Sequence, residues 1–472
     1  MASSSFSAQG PAPLIPERVR AGGQRRAWNL AAVTVIWVTS LIIVALWVRG
    51  AGIQSLFSMG ADSLTTLGRL TGLVSANLLL YQVLLMARIP LFERGFGRDG
   101  IARAHRRVGF WSFWMLMMHI VLITVGYAVT ASVNVLVQAW MFVWDYPGML
   151  LATTGTLLLV IVVVTSIRRA RRHLRYESWH LLHLYGYLGA GLAIPHMLWT
   201  GADFTSSPTA TVYWWSLWAV TMAAALWFRV ALPVWRTARH QLRVVAVEQD
   251  GRDGVSVRMR GRRLLHLGAR SGQFFVWRFL DGPGWSRGHP FSLAAAPSSE
   301  ELVISVRRVG DGTDKLVGLR AGTKVLIEGP YGAMTGERRR GSKLLMISAG
   351  AGVAPLVALL QAEDYSPGDA ILITRDHAEG RGLRRREIRD LVASRGLTHY
   401  ALDGPRGAEG TPWLPASHAG WDGPTLLRRL APDLEAYDVF LCGPVPWMRS
   451  VAHDLRAAGV ALDRIHSEAF TI

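Results

Sequence analysis

A single cysteine, Cys442, stands in a chain of 472 residues. One thiol forms no intrachain disulfide, and the multi-cysteine ligand sets of iron–sulfur clusters and structural zinc sites are excluded with it. Acids are scarce too: Asp and Glu number 33 against 51 Lys and Arg, a formal charge of +18. Such an excess is compatible with nucleic acid, yet no nucleic-acid-binding motif accompanies it. The arginines instead flank apolar runs, which makes the charge a signal of membrane topology with a lipid bilayer as neighbour. Segment 1–24 is rich in Ala, Ser, Pro and Gly and has no apolar core before Arg18. It reads as part of a disordered cytoplasmic tail, 1–27, and not as a cleaved signal peptide.

Charge is nearly missing from six stretches, at 29–48, 64–87, 107–129, 147–167, 178–199 and 211–232. Each is long enough to cross a bilayer. The loops between them alternate. One side carries Arg18, Arg20, Arg25 and Arg26, then Arg94, Arg98, Arg103, Arg106 and Arg107, then Arg168, Arg169, Arg171, Arg172 and Arg175. The opposite loops, near 50–62, 130–146 and 200–210, have almost no cations and a few acids such as Asp62, Asp145 and Asp203. By the positive-inside rule this is an integral cell membrane protein of six spans with both termini cytoplasmic, and the half beyond residue 238 faces the cytosol. Trp114, Trp140, Trp144, Trp199, Trp214 and Trp215 lie mostly toward span ends, where indole rings anchor at the interface.

Ionisable residues inside a span demand a reason. The third span has His105 at its cytoplasmic mouth and His119 fourteen residues later. That spacing is close to four helical turns, so both imidazoles share a face roughly 21 Å apart. The fifth span has His180, His183 and His196. Spans three and five run in the same direction, so His105 and His183 sit near the cytoplasmic leaflet, and His119 and His196 deeper. Two levels with one imidazole from each helix is the geometry of two stacked bis-histidine haems, closed to further ligands and suited to electron transfer. Thirteen residues of ideal helix turn His196 about 140° from His183. Pro195 is placed to re-aim it, and His180, one turn earlier, is the competing ligand.

The strings "AHRRVGFWSFWMLMMH" at 104–119 and "RYESWHLLHLYGYLGAGLAIPH" at 175–196 resemble the ferric reductase-like transmembrane family, which includes the NADPH oxidases. The resemblance implies metal ligation by His105, His119, His183 and His196. It pairs His105 with His183, and His119 with His196, on two b-type haems.

From about residue 240 short β segments, "LRVVAVEQ", "GVSVRMRG" and "QFFVWRFL", are separated by Gly and charged turns, the pattern of a small barrel. After 340 strands alternate with helices, the pattern of an α/β nucleotide-binding domain. The string "RGHPFSLAAAP" at 287–297 resembles the flavin signature of the ferredoxin–NADP reductase-like superfamily, and implies His289, Pro290, Phe291 and Ser292 at FAD. Phe291 would lie against the isoalloxazine and the Ser292 hydroxyl would bond its polar edge. His289 stands where arginine is common in that superfamily, as in the NADPH oxidase branch. In "VGDGTDKL" at 309–316, opening a helix, Gly310 and Gly312 permit close backbone approach, and free amides with the Thr313 hydroxyl would hold the FAD pyrophosphate. "EGPYG" at 328–332 resembles the closing turn of such flavin domains.

The strand "KLLMIS" runs into "AGAGVAPLVALL" at 349–360. There Gly350 and Gly352 remove side chains where a dinucleotide meets a helix N-terminus, and Pro355 fits an early helical position. In the resembled family the later "FLCGP", here Cys442, Gly443 and Pro444, lies beside the nicotinamide. There too an acid and a terminal aromatic meet the flavin, which points to Glu468 and Phe470 in "HSEAFTI", although Thr471 and Ile472 follow. Arg375, after "AILIT", is either a partner for the 2′-phosphate of NADPH or a solvated cation, so NADH stays open as donor.

The expected organisation is multidomain. A six-helix transmembrane haem domain at 28–235 precedes an antiparallel β-barrel FAD domain at 238–336 and an α/β NAD(P) domain at 340–472. The expected activity is that of an NAD(P)H-dependent flavohaem oxidoreductase. Electrons would pass from cytosolic NAD(P)H through FAD, the inner haem and the outer haem to a small-molecule acceptor outside, ferric chelate or molecular oxygen. Delivery to an extracytoplasmic partner protein is the alternative. Non-enzymatic haem carriage is disfavoured by the flavin and nicotinamide signatures, and no accessory subunit is indicated.

Overall fold

The computed structural model describes residues 15–58, 60–174, 176–201, 207–407 and 411–468. One compact unit spans Ala27–Val230 and a second holds Ala231–Ile472.

The first unit is helical: α1 Ile15–Arg49, which it holds from Ala27 on, α2 Ala61–Met86, α3 Pro90–Ala131, α4 Val135–Asp145, α5 Met149–Ser166, α6 Tyr176–Thr200 and α7 Pro208–Leu226. Helix begins at Ile15, inside the segment that composition assigns to a disordered tail; Pro16 suits a first turn, where its missing amide has no partner to lose. Among the described residues five stretches are long and apolar enough to cross a membrane: Ala27–Arg49, Ala61–Met86, Gly100–Ala131, Met149–Ser166 and Pro208–His240. They match five of the six expected spans. The remaining one corresponds to α6, which is 25 residues long with Pro195 inside it. Its three histidines dilute an apolar run. The loop expected at 130–146 contains α4, whose N-terminus is capped by Asn134, the side chain accepting from Leu136 N at 2.8 Å.

Within this unit α2 packs on α3, and α5 on α6. Small residues make both seams. Ser75 Oγ donates to Ser112 O at 2.8 Å and Ser112 Oγ to Ser75 O at 3.2 Å, a reciprocal pair between buried residues. A Cβ added to Gly155 would lie 2.6 Å from Gly189 O. Backbones approach this closely in membranes because van der Waals packing and interhelical hydrogen bonds must replace the hydrophobic drive that lipid removes.

The second unit starts with α8 Leu232–His240. Arg236 donates to Gly329 O and Thr237 Oγ1 accepts from Ile327 N, so α8 belongs with the sheets that follow. The boundary therefore falls at 230/231, before the expected 235, because the chain runs on as helix through Trp227–Ala231 without a linker. Six strands come next: β1 Arg243–Asp250, β2 Gly254–Arg260, β3 Phe274–Phe279, β4 His289–Ser292, β5 Glu301–Arg307 and β6 Val325–Tyr331. They form two antiparallel sheets, β1-β2-β5 and β4-β3-β6. Bridges Arg243↔Lys324 and Leu293↔Ile304 join their edges. One core including Val257, Met259, Phe275, Trp277 and Ile304 lies between them.

A parallel sheet completes the unit, in the order β11-β10-β7-β8-β9. Its strands are β7 Lys343–Ala349, β8 Ala370–Arg375, β9 Thr398–Ala401, β10 Tyr437–Cys442 and β11 Ile465–Ser467. Helices α9 Val353–Ala362, α10 Arg385–Arg395, α11 Gly423–Leu430 and α12 Val445–Ala457 alternate with them. β7 and β10 are buried on both faces, hence their unbroken apolar runs. The order reverses between β7 and β10, and the crevice at the C-terminal ends of those strands is where open α/β sheets bind ligands.

Candidate functional site

In the helical unit His105 on α3 and His183 on α6 face each other, ring centroids 6.0 Å apart and planes at 62°. A metal–imidazole bond of about 2 Å on either side of one ion would separate two trans rings by roughly this much. The imidazole opposite His105 is that of His183. His180 lies exposed one turn away and interacts electrostatically with Arg229. His196 is close enough to His119 for those two rings to interact likewise. Pro195 has no amide hydrogen for the carbonyl of Gly191, so one rung of the ladder is missing just before His196, although the helix runs on to Thr200.

The Nδ1 atoms of three of these rings are tied to neighbours. His119 Nδ1 donates to Gly68 O at 2.7 Å. Thr200 Oγ1 gives its proton to His196 O at 2.8 Å and so accepts from His196 Nδ1 at 2.9 Å. His183 Nδ1 is 3.3 Å from Ser166 Oγ. His105 Nδ1 is buried and turned to the backbone of Gln82. Holding the proton on Nδ1 leaves the Nε2 lone pair as the ligand, the arrangement found around metal-bound imidazoles. Gly72 matters here: a Cβ on it would come within 2.5 Å of His119 Nδ1. Among the described residues no group of three or more His, Cys, Asp or Glu gathers to hold a metal ion; these imidazoles come in twos. The chemistry of paired neutral imidazoles suits a haem.

In the second unit β4 presents His289 and Phe291 on one face, rings stacked 5.8 Å apart at 4°. Pairing with β3 sets this, Trp277 opposite His289 and Phe275 opposite Phe291, with Trp277 Nε1 donating to Phe291 O at 2.9 Å. Pro290 is exposed and Ser292 half-buried. Burial, then the positive charges of Arg287, Arg278 and Lys315, lower the His289 imidazole below its usual range and keep it neutral. The helix expected after 309 is a single turn, Asp311–Asp314, with a 3₁₀ turn behind it. Gly310 takes φ +155°, and a Cβ on Gly312 would meet His289 Cε1 at 2.9 Å. The Thr313 hydroxyl accepts from Val309 N at 2.9 Å and donates to Gly310 O at 2.8 Å, so it closes its own turn. A flat aromatic face ringed by three cations fits a flavin dinucleotide.

On the parallel sheet the C-terminal ends of β7 and β10 bring Ser348 and Cys442 side by side, and Glu468, just past β11, lies near enough to act on the Cys442 thiol. Gly350 and Gly352 form a 3₁₀ turn into α9, where Pro355 is buried. Gly352 abuts the carbonyl of Cys442, leaving no room for a Cβ, and Gly443 packs on Trp447. Pro444 caps α12. Glu468 accepts from Met334 N at 3.2 Å. Burial, with the Glu468 carboxylate nearby, pushes the Cys442 thiol far up. Phe470 lies outside the described residues. Arg375 is buried and donates to the carbonyl of Asp376, turned toward its own chain; burial lowers its pKa.

Sequence reasoning missed Ser348, whose Oγ is buried without a hydrogen bond at the nucleotide turn. The one polar residue ending an apolar strand was its signal. It also missed Arg307, which pairs with Asp376 at 2.5 Å, donates to Arg381 O at 3.0 Å and lies 3.1 Å from a Cβ placed on Gly350. No local pattern marks a pair 69 residues apart.

Residues 71–194 match the model of the ferric reductase like transmembrane component family. The glycine betaine monooxygenase reductase subunit of Chromohalobacter salexigens is 26% identical over 256 residues, which cover 51% of this chain and 67% of that protein. The flavohemoprotein of Chromobacterium violaceum is 30% identical over 220 residues, covering 43% of this chain and 52% of its own. The chain thus spans between about half and two thirds of these relatives. Among solved structures, the flavohem-like FAD/NAD binding domain of nitric oxide dioxygenase from Vibrio cholerae O1 biovar El Tor aligns with TM-score 0.39 and 22% identity, over 49% of this chain and 98% of that one.

Proposed function

We propose, for a chain that joins a ferric reductase-like transmembrane component to a ferredoxin-reductase-type module, that it carries electrons from cytosolic NAD(P)H through FAD and two b-type haems to an extracytoplasmic acceptor, ferric chelate or molecular oxygen. The observation that carries this reading is the 6.0 Å facing pair His105–His183, in one chain with the stacked His289–Phe291 face and the Gly350–Gly352 turn. Bound FAD would supply the conversion of a hydride into single electrons, and haem iron the one-electron steps.

The residues' own tasks follow from the geometry. His105 with His183, and His119 with His196, would grip one haem each through Nε2, and a bis-imidazole grip leaves no position for another ligand. Neutral His289 and Phe291 would offer the flavin a flat face without competing for its protons. Gly350 and Gly352 would admit the dinucleotide backbone to the start of α9. Cys442, Ser348 and Glu468 would line the nicotinamide position, Cys442 as a neutral thiol. No residue is required as a general acid or base, because hydride and electrons are what move. In this reading α6 is the fifth of six crossings, His183 and His196 facing the bundle, and both termini are cytoplasmic.

Adding NADPH and FAD to the purified, detergent-solubilised protein without oxygen should produce the absorption of reduced b-type haem. His183→Ala and His196→Ala should each lower bound iron from two to one per chain while NADPH still bleaches the flavin. Well-folded material with no stoichiometric iron would remove the reading.

A further inference from the structure

We propose that the outward face of α3 at its cytoplasmic end is a binding site for an anionic phospholipid, its headgroup phosphate held by Arg103, Arg106 and Arg107 and its upper acyl chain lying on Phe110 and Trp111. The inference rests on the reading of the helical unit as membrane-embedded and goes beyond it, because it names a lipid class and a site. These five residues line a shallow, open depression of about 370 Å³. With 3.6 residues per turn they fall within roughly 70° of one direction on the helix, and that direction is about 170° from His105. The pocket is therefore turned away from the facing imidazoles, and the carboxylates of a haem held there are not its anion.

Charge and apolar surface are ordered along the stripe as a lipid orders them. The three guanidinium groups come first and are exposed, and among the described residues none has a carboxylate partner. One turn further into the apolar stretch Phe110 and Trp111 are each 57% exposed, with Trp114 following at 52%. Phe110 meets Trp111 edge-on at 5.6 Å and Trp114 at 6.3 Å, a continuous aromatic surface. Unpaired guanidinium groups at the headgroup level attract anionic lipid by an amount that grows with each cation, and they match phosphate oxygens in geometry. Exposed aromatic faces just below that level need acyl chain to cover them. A free phosphate would satisfy only the first half of the pocket.

The test reconstitutes the full-length protein in phosphatidylcholine vesicles and measures the motionally restricted fraction of a trace spin-labelled lipid by electron paramagnetic resonance. Spin-labelled phosphatidylglycerol should show a preference of roughly tenfold or more over spin-labelled phosphatidylcholine, because each of the three cations adds to the attraction for an anionic headgroup. R103Q/R106Q/R107Q should abolish the preference and keep the restricted phosphatidylcholine signal. R169Q/R172Q, a change of like sign on exposed cations elsewhere, should keep the preference. Equal restriction of the two lipids overturns the proposal, as does loss of preference in both variants alike, which makes it a matter of net charge. Displacement of the restricted phosphatidylglycerol by millimolar inorganic phosphate overturns the lipid as ligand. No restricted lipid of either kind would overturn the membrane reading itself.

Discussion

Gly352 meets the carbonyl of Cys442 where two parallel strands end, and the contact leaves the nucleotide turn no slack. Gly352→Ala must push the turn away from β10. We expect a loss of about 1–3 kcal/mol in stability, the scale of overpacking, and a KM for NADPH raised at least several-fold in dye-linked hydride transfer. An unchanged KM would mean that the turn does not touch the dinucleotide. Cys442 carries a second expectation. Its buried thiol has its pKa pushed far above the ordinary range, so it stays protonated at every physiological pH. A thiol reagent should leave it unlabelled in the native protein up to about pH 9 and label it after denaturation, since the thiolate is the reactive form. Prompt native labelling at pH 7 would contradict the burial.

The parallel sheet is tied at one end by Asp438 on β10. Its carboxylate accepts from Arg340 N at 2.8 Å, Gly341 N at 2.5 Å and His466 Nε2 on β11 at 3.2 Å. Burial alone would raise this acid, but the hydrogen bonds from His466, Gly341 and Arg340 outweigh it and hold the carboxyl below its usual range. A depressed folded-state pKa stabilises above the unfolded value and loses that stability as pH falls through the folded one. The contribution should be intact above about pH 4 and vanish below it. Asp438→Asn should cost about 1–3 kcal/mol and flatten the acid limb of the melting curve; an identical limb would show that another group governs it. At this scale the sequence was informative where periodicity is strong. β7, the glycine turn and α9 could be read directly, because an apolar run followed by Gly-x-Gly and an early Pro has few other uses. The helix α4 was not legible, for an eleven-residue, mostly apolar stretch between two spans looks like loop until Asn134 is seen capping it. Nor was the turn after Val309, where Gly310 and Thr313 bond each other and halt the helix after four residues.

For the whole molecule, the arginine pattern carries a further expectation about the acceptor. The loops opposite the arginine-rich side hold few charges, which gives a ferric chelate little to bind. Admitting oxygen or a ferric chelate to the NADPH-reduced protein and comparing superoxide with ferrous yield should favour superoxide; a dominant ferrous yield would reverse that ranking. The spacing of His105 and His119 placed both on one face of α3, while the approach of His196 to His119 rests on packing that no one-dimensional pattern records. The helix α2 adds a consequence of its own. It donates no imidazole, yet Gly68 anchors the His119 ring and Gly72 lies against it. With haem bound as proposed, a colony screen for lost pigment should return lesions at these two glycines as often as at the histidines, marking α2 as the mould of the proposed outer seat.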